Sequence, residues 1–112
     1  MTPPKKIRGG ALLARALQEK GVEHVFTLSG GFCNPALEGF MECQMKVINC
    51  PHEQVAGHFA DGHTRITRKP AVCLVGPEGF ANAVPAMMEA WGELSPVIFV
   101  TGSSTLKLQG AG

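Results

Sequence analysis

Apolar positions along this chain fall into short blocks that alternate between two periods. Leu12, Leu13, Ala16 and Leu17 share one helical face, with Gly10 before them and Gly21 after Lys20, where a left-handed C′ residue ends a helix. The spacing predicts a helix over residues 10–20. Val22, Val25, Phe26 and Leu28 are too densely apolar for a half-exposed strand, and Ser29-Gly30-Gly31 breaks them. Asn34-Pro35 then offers an N-cap with proline at N1, and Leu37, Phe40 and Met41 give that helix its buried stripe. Val47 to Cys50 reads as a second strand. The next helix carries Glu53 near its start and continues through Val55, Ala56, Phe59, Ala60 and Ile66 at 3.6-residue spacing. Arg65, Arg68 and Lys69 crowd its end, where cations suit the helix dipole, and Pro70 stops it. Ala71 to Val75 is a third strand, and the turn Gly76-Pro77-Glu78-Gly79 follows. Val84, Met87, Met88 and Trp91 mark a fourth helix that tolerates Pro85 only within about its first turn and closes at Gly92. Val97 to Val100 is the fourth strand, and Gly102-Ser103-Ser104 opens a loop.

Helix and strand alternate strictly, and the strands are short and wholly apolar, so they need cover on both sides. The expected fold is α/β: a doubly wound parallel sheet with helices on both faces. Right-handed crossovers place the segments 29–34, 51–53, 76–82 and 101–104 on one rim, the carboxyl edge of the sheet. Residues 1–8 are expected to be a flexible lead-in, and residues 105–112 an open loop.

Composition narrows the function classes. The 112 residues carry a net charge of +1 with no clustered basic stretch, which gives no electrostatic case for nucleic acid or an anionic membrane. A small molecule or another protein is the expected partner. Cys33, Cys43, Cys50 and Cys73 have no C-x-x-C pairing and read as small buried hydrophobes in a reducing compartment. No apolar run follows the N-terminal charges, so a cytoplasmic location is expected, with mitochondrion or plastid left open.

The chemistry concentrates where Pro51-His52-Glu53 leaves the second strand. Open α/β sheets bind ligands at such strand-to-helix junctions. A carboxylate there, shielded by apolar neighbours, can exchange a proton with a bound ring nitrogen near neutral pH. Glu53 taken alone reads more readily as a first-turn acid complementing the helix dipole. Two things favour chemistry: Pro51-His52 stands where Ser, Thr, Asp or Asn would usually cap, and the helix that follows is small and apolar. His52-Glu53 is not a zinc-protease motif, because Ala56 or Gly57 stands where H-E-x-x-H needs its second histidine. His58 and His63 are five apart and point away from each other on a helix, and Asp61-Gly62 has no second oxygen ligand behind it, so no metal site is expected. Neither Gly30-Gly31 nor Gly76-Pro77-Glu78-Gly79 is a dinucleotide or P-loop cradle, although both allow close backbone approach to a ligand. Asn82 reads as capping or beginning the fourth helix. The Met87, Met88 and Trp91 stripe reads as core or as a face packed on a partner.

Taken in order, these segments resemble the pyrimidine-binding domain of thiamine diphosphate-dependent enzymes of the acetolactate synthase, benzaldehyde lyase and oxalyl-CoA decarboxylase group. Residues 10–26, Leu28-Ser29-Gly30-Gly31, the run 52–62 around Glu53, and the segments 69–75, 79–84 and 95–103 carry the likeness across almost the whole chain, read as a single domain. The resemblance implies that Glu53 is catalytic and hydrogen-bonds N1′ of the cofactor's aminopyrimidine, promoting the imino tautomer that takes the proton from thiazolium C2. Gly76, Pro77, Gly79 and Asn82 would lie with Glu53 against the aminopyrimidine or a subunit interface, and Gly30, Gly31 and Phe32 would face substrate. The implied function is the aminopyrimidine-binding part of a lyase or carboligase acting on 2-keto acids or aldehydes. An acyl-CoA decarboxylase, or a non-catalytic flavodoxin-like binding module, is the alternative.

The sequence departs from that pattern in three places. Glu78 stands inside what is usually a Gly-Pro-Gly turn, and Gln109 does not align securely with a substrate-contacting glutamine. No G-D-G followed by a distant Asn occurs, so the Mg²⁺ and diphosphate are expected on another domain, of the same enzyme or of another subunit. The chain by itself is then expected to be inactive, and a homo-oligomer is expected in assembly. The last strands of such a domain are also missing, which implies truncation at the C-terminus and an unpaired sheet edge.

Overall fold

The computed structural model describes residues 6–110. Four helices, α1 (Gly9–Glu19), α2 (Asn34–Glu42), α3 (Glu53–Thr67) and α4 (Phe80–Gly92), alternate with strands β1 (His24–Thr27), β2 (Lys46–Asn49), β3 (Ala71–Val75) and β4 (Val97–Thr101). The strands form one fully parallel sheet in the order β2-β1-β3-β4. The expected doubly wound architecture is therefore present. Strand order reverses between β1 and β3, and the loops leaving those two strands diverge there to opposite faces.

The core has two halves, one on each side of the sheet. Ala14, Leu17 and Phe40 from α1 and α2 pack on Val25, Val72 and Leu74, whereas Ala56, Ala60 and Ala83 from α3 and α4 pack on Phe26, Cys73 and Val75. β3 lies between both layers and is buried at every residue. Small residues set the helix spacing. A Cβ on Gly10 would overlap the Pro35 carbonyl, one on Gly39 the Gly10 carbonyl, and one on Gly57 the Ala86 methyl. Inside the sheet the Thr27 hydroxyl donates to the Leu74 carbonyl at 2.7 Å, which satisfies a buried polar group between β1 and β3.

Several local expectations are corrected. Asn34 is the first residue of α2 rather than its cap: a 3₁₀ turn at Gly31–Cys33 already winds the chain, and Cys33 takes the cap position without a side-chain bond. α3 buries Ala56, Gly57, Ala60, Asp61 and Thr64, while Phe59 and Ile66 are 54% and 85% exposed. The face that meets α4 must be small to approach closely, so the bulky residues point outward. The same holds for α4, which buries Ala83, Ala86 and Ala90 and exposes Val84, Met88 and Trp91. Pro85 is the sixth residue of α4, deeper than expected. Arg65 lies in the last turn of α3, as expected, and from there it also forks onto Asp61 at 3.0 and 2.8 Å and reaches Glu89 at 3.2 Å, tying α3 to α4. Burial pushes the Asp61 carboxyl up, but Arg65 outweighs it and holds it below the usual carboxylate range.

The expected lead-in is described from residue 6 onward. Arg8 sits at the N-cap of α1 and pairs with Glu38 at 2.9 Å and with Glu42. Residues 1–5 of that segment, and Ala111 and Gly112 of the expected open loop, lie outside the described residues. Leu106–Leu108 form a 3₁₀ turn.

Candidate functional site

β2 ends at Asn49, but the Cys50 N–H still donates to the Thr27 carbonyl at 2.7 Å, so the chain stays tied to β1 until Pro51 turns it. His52 is extended, with φ −157° and ψ 151°, and its Nδ1 accepts from the Gln54 N–H at 3.0 Å. Histidine thus performs the capping that serine or aspartate performs elsewhere. Sequence reasoning missed this, because a ring nitrogen can accept like a hydroxyl only when its tautomer and backbone allow.

With the cap supplied by His52, Glu53 is the first residue of α3 and its side chain turns along the rim instead of back onto its own helix. Only 16% of that side chain is exposed. Its Oε2 accepts from Asn82 Nδ2 at 3.3 Å, and His52 Nε2 stands 3.8 Å from the same oxygen. The carboxyl lies against the backbone of Gly79: a Cβ at Gly79 would overlap Oε1, Cδ and Cγ of Glu53. Gly79 has φ −81° and ψ −10°, so the glycine is needed here for space rather than for a left-handed conformation. The α3 and α4 N-termini therefore share one carboxyl group between them.

The other residues singled out by sequence fall around this point in two groups. Gly79 and Asn82 join Glu53 directly, whereas Gly76 and Pro77 lead into that turn, and a Cβ on Gly76 would meet only the Glu78 carboxylate at ordinary contact distance. Asn82 is the third residue of α4, and its side chain serves Glu53 rather than its own helix start. Phe32 forms the second group. It packs on Gly102, where a Cβ would crowd the Phe32 backbone and Cβ, and it walls an apolar cavity of about 210 Å³ with Leu13, Pro35 and Val100. Gly30 and Gly31 border open space. Beneath Phe32, burial pushes the Cys33 thiol above its ordinary value, and backbone hydrogen bonding at Gly30 and Gly102 only partly offsets it. Gln109 folds back on its own loop, with Nε2 3.5 Å from Ser103 Oγ and 3.4 Å from the Ser104 carbonyl. Among the described residues no cluster of three or more His, Cys, Asp or Glu side chains is arranged to hold a metal ion, and no helix is long and apolar enough to cross a membrane.

Residues 7–112 match the family model described as the thiamine pyrophosphate enzyme, N-terminal TPP binding domain. This chain belongs to that family. Among relatives of this TPP-binding domain, a probable acetolactate synthase of Mycobacterium bovis is 34% identical over 111 residues, covering 98% of this chain and 20% of that protein. The 2-hydroxyacyl-CoA lyase 2 of Danio rerio is 34% identical over 106 residues, covering 93% of this chain and 17% of that protein. The benzoylformate decarboxylase of Polynucleobacter necessarius superposes with a TM-score of 0.80 over 91% of this chain and 19% of its own, at 21% identity, a likeness of fold. The TPP-binding domain spans about a fifth of the length of the relatives it matches.

Membership carries with it the use of thiamine diphosphate. The rim suits an aminopyrimidine: a mostly buried carboxyl group sits in a cradle that a Cβ would fill, with one oxygen already held by an amide donor.

Proposed function

We propose that residues 1–112 form a single pyrimidine-binding domain and that Glu53 is the carboxyl group that meets N1′ of the aminopyrimidine, in a lyase or carboligase acting on 2-keto acids or aldehydes. One observation carries this reading: Glu53, at the sheet mouth, is turned away from its own helix and held against Gly79 and Asn82. A purely capping acid would fold back onto the N–H groups of its first turn, and here His52 has taken that task.

When bound, thiamine diphosphate supplies an acidic thiazolium carbon and an electron sink. The chain's residues hold and move one proton. Glu53 offers it to, and recovers it from, the ring nitrogen; Gly79 lets the two approach; Asn82 fixes the carboxyl plane; Gly30, Gly31 and Phe32 leave an open wall for substrate. Gly76 and Pro77 shape the turn that leads to Gly79. The diphosphate and Mg²⁺ fall to another domain of the same enzyme or of another subunit. The exposed Val84, Met88 and Trp91 of α4, and separately Phe59 of α3, favour assembly into a homo-oligomer. Four free thiols, three of them buried, fit a reducing cytoplasm.

The test is calorimetry with thiamine diphosphate and Mg²⁺, using this chain alone and mixed with the diphosphate-binding domain of a relative, followed by C2 proton exchange in the mixture. Heat and exchange only in the mixture, with Glu53→Gln abolishing exchange while leaving the fold intact, support the reading. Exchange at the parent rate in Glu53→Gln sinks it, and no heat in any mixture favours a non-catalytic module. The relative named 2-hydroxyacyl-CoA lyase 2 keeps a thioester substrate as a second reading, which a panel of keto acids, aldehydes and acyl-CoA esters separates.

A further inference from the structure

We infer that Asn82 is a positioning residue that acts through Glu53 by distinguishing its two carboxyl oxygens, rather than a residue that touches the cofactor itself. The inference rests on the reading of Glu53 given above and deepens it. A carboxyl group that shares one proton with a ring nitrogen works best when that proton has one place to sit. In solution its two oxygens are equivalent, and half of all encounters present the wrong one.

The rim removes that equivalence. Asn82 Nδ2 donates to Oε2 at 3.3 Å, and an amide N–H can only donate, so a proton on Oε2 would face another proton. His52 Nε2, 3.8 Å from the same oxygen, carries the ring hydrogen while Nδ1 accepts from Gln54, and so adds to this bias. Oε1 has no donor among the described residues and occupies the space left by the missing Gly79 side chain. The exchangeable proton therefore belongs on Oε1. Asn82 sits on the first turn of α4, in the layer that also packs α4 against α3, so the donor is fixed by the same contacts that fix the helix bearing the acid. The two residues are 29 apart in sequence, and folding alone brings them together.

Two measurements test this. On this chain without cofactor, the Asn82 side-chain amide signal in a ¹H–¹⁵N spectrum is expected to shift as the pH is lowered, and Glu53→Gln is expected to abolish that shift. In the mixture with a diphosphate-binding domain, thiamine diphosphate and Mg²⁺, Asn82→Ala and the near-isosteric Asn82→Asp are expected to slow C2 exchange about ten- to a hundredfold. Asn82→Asp is also expected to alter the pH profile of exchange, because the donor becomes a second carboxylate, while cofactor affinity stays close to the parent value. A general packing role would not link an amide signal to the protonation of Glu53. An Asn82 signal indifferent to Glu53→Gln, or parent exchange rates in both variants, overturns the inference; should Asn82→Ala fail to fold, the amide titration in the unaltered chain still decides it. If Glu53→Gln loses exchange and the Asn82 variants keep it, only this inference falls. If Glu53→Gln keeps exchange, the reading of Glu53 falls first.

Discussion

Gly79→Ala separates stability from function at one methyl group. The backbone there is right-handed, so alanine meets no conformational penalty, and the reduced freedom of the unfolded chain contributes about 0.4–1 kcal/mol toward stability. Against this, the new Cβ claims the volume of Glu53 Oε1, Cδ and Cγ. The group that gives way is the end of a flexible side chain rather than backbone, so the strain is that of a changed rotamer, about 1 kcal/mol. Losing the Asn82–Glu53 hydrogen bond adds about 1 kcal/mol more. The net destabilisation is therefore about 1–2 kcal/mol, a fall of roughly 4–8 °C in melting temperature per kcal/mol for a domain of this size. The functional loss is far larger, because a carboxyl group displaced by about 1 Å loses about a hundredfold in a proton transfer that depends on its position. Thermal melts of the chain and C2 exchange in the reconstituted mixture measure the two effects. Parent-level exchange in a folded Gly79→Ala protein would refute the cradle, and a loss of stability above about 4 kcal/mol, beyond the usual range for one substitution, would show that the backbone cannot yield the side chain.

Further predictions follow from the same packing. Gly39→Ala sets a Cβ into the Gly10 carbonyl and is expected to cost about 3 kcal/mol, whereas Gly62→Ala, in a helix interior with open space around it, is expected to stabilise by up to about 1 kcal/mol; chemical denaturation of both compares them directly. The His24 ring lies 4.3 Å from the His63 ring between β1 and α3, and burial, then His63 and Lys46, hold its pKa below the ordinary imidazole value. A folded value below the unfolded one means that its contribution is present above the ordinary value and lost as the pH falls through the lower folded one, so His24→Phe is expected to flatten the acid limb of stability measured by melting against pH. Burial pushes the Cys73 thiol up to about 12, and Cys33 and Cys50 are raised by burial too, so mild alkylation of the native protein is expected to label Cys43 first, with mass spectrometry of the digest as the readout.

Much of the fold was legible because it rests on order: short apolar strands, breakers at Gly30, Pro70 and Gly76, and helical periods between them. The acid was legible too, since Glu53 follows an apolar block at a fixed place on the rim. What failed was the choice of buried face on α3 and, of the two readings of the α4 stripe, the core one. Phe59, Ile66, Met88 and Trp91 rank highest in apolar character, yet α3 and α4 meet through Gly57, Ala60, Ala83 and Ala86, because close helix approach selects for small size over hydrophobicity. Asn82 read as a local helix-start residue and Gly79 as part of a glycine-rich turn, and their direct contact with Glu53 depends on a crossover that no local pattern encodes. Asp61 with Arg65 was similarly hidden, since a charge in the middle of a helix reads as solvent-facing until the second helix is placed.

The two outer strands of the sheet are not alike. β2 is four residues long and carries an exposed lysine and an exposed asparagine at its ends, while β4 presents Val-Ile-Phe-Val, half-exposed and without a charge, along the other margin. Charged, short margins refuse a visiting strand and uncharged ones accept it. The described sheet can therefore be continued by another strand along its β4 margin, whatever that strand belongs to, while its β2 margin stays closed to one.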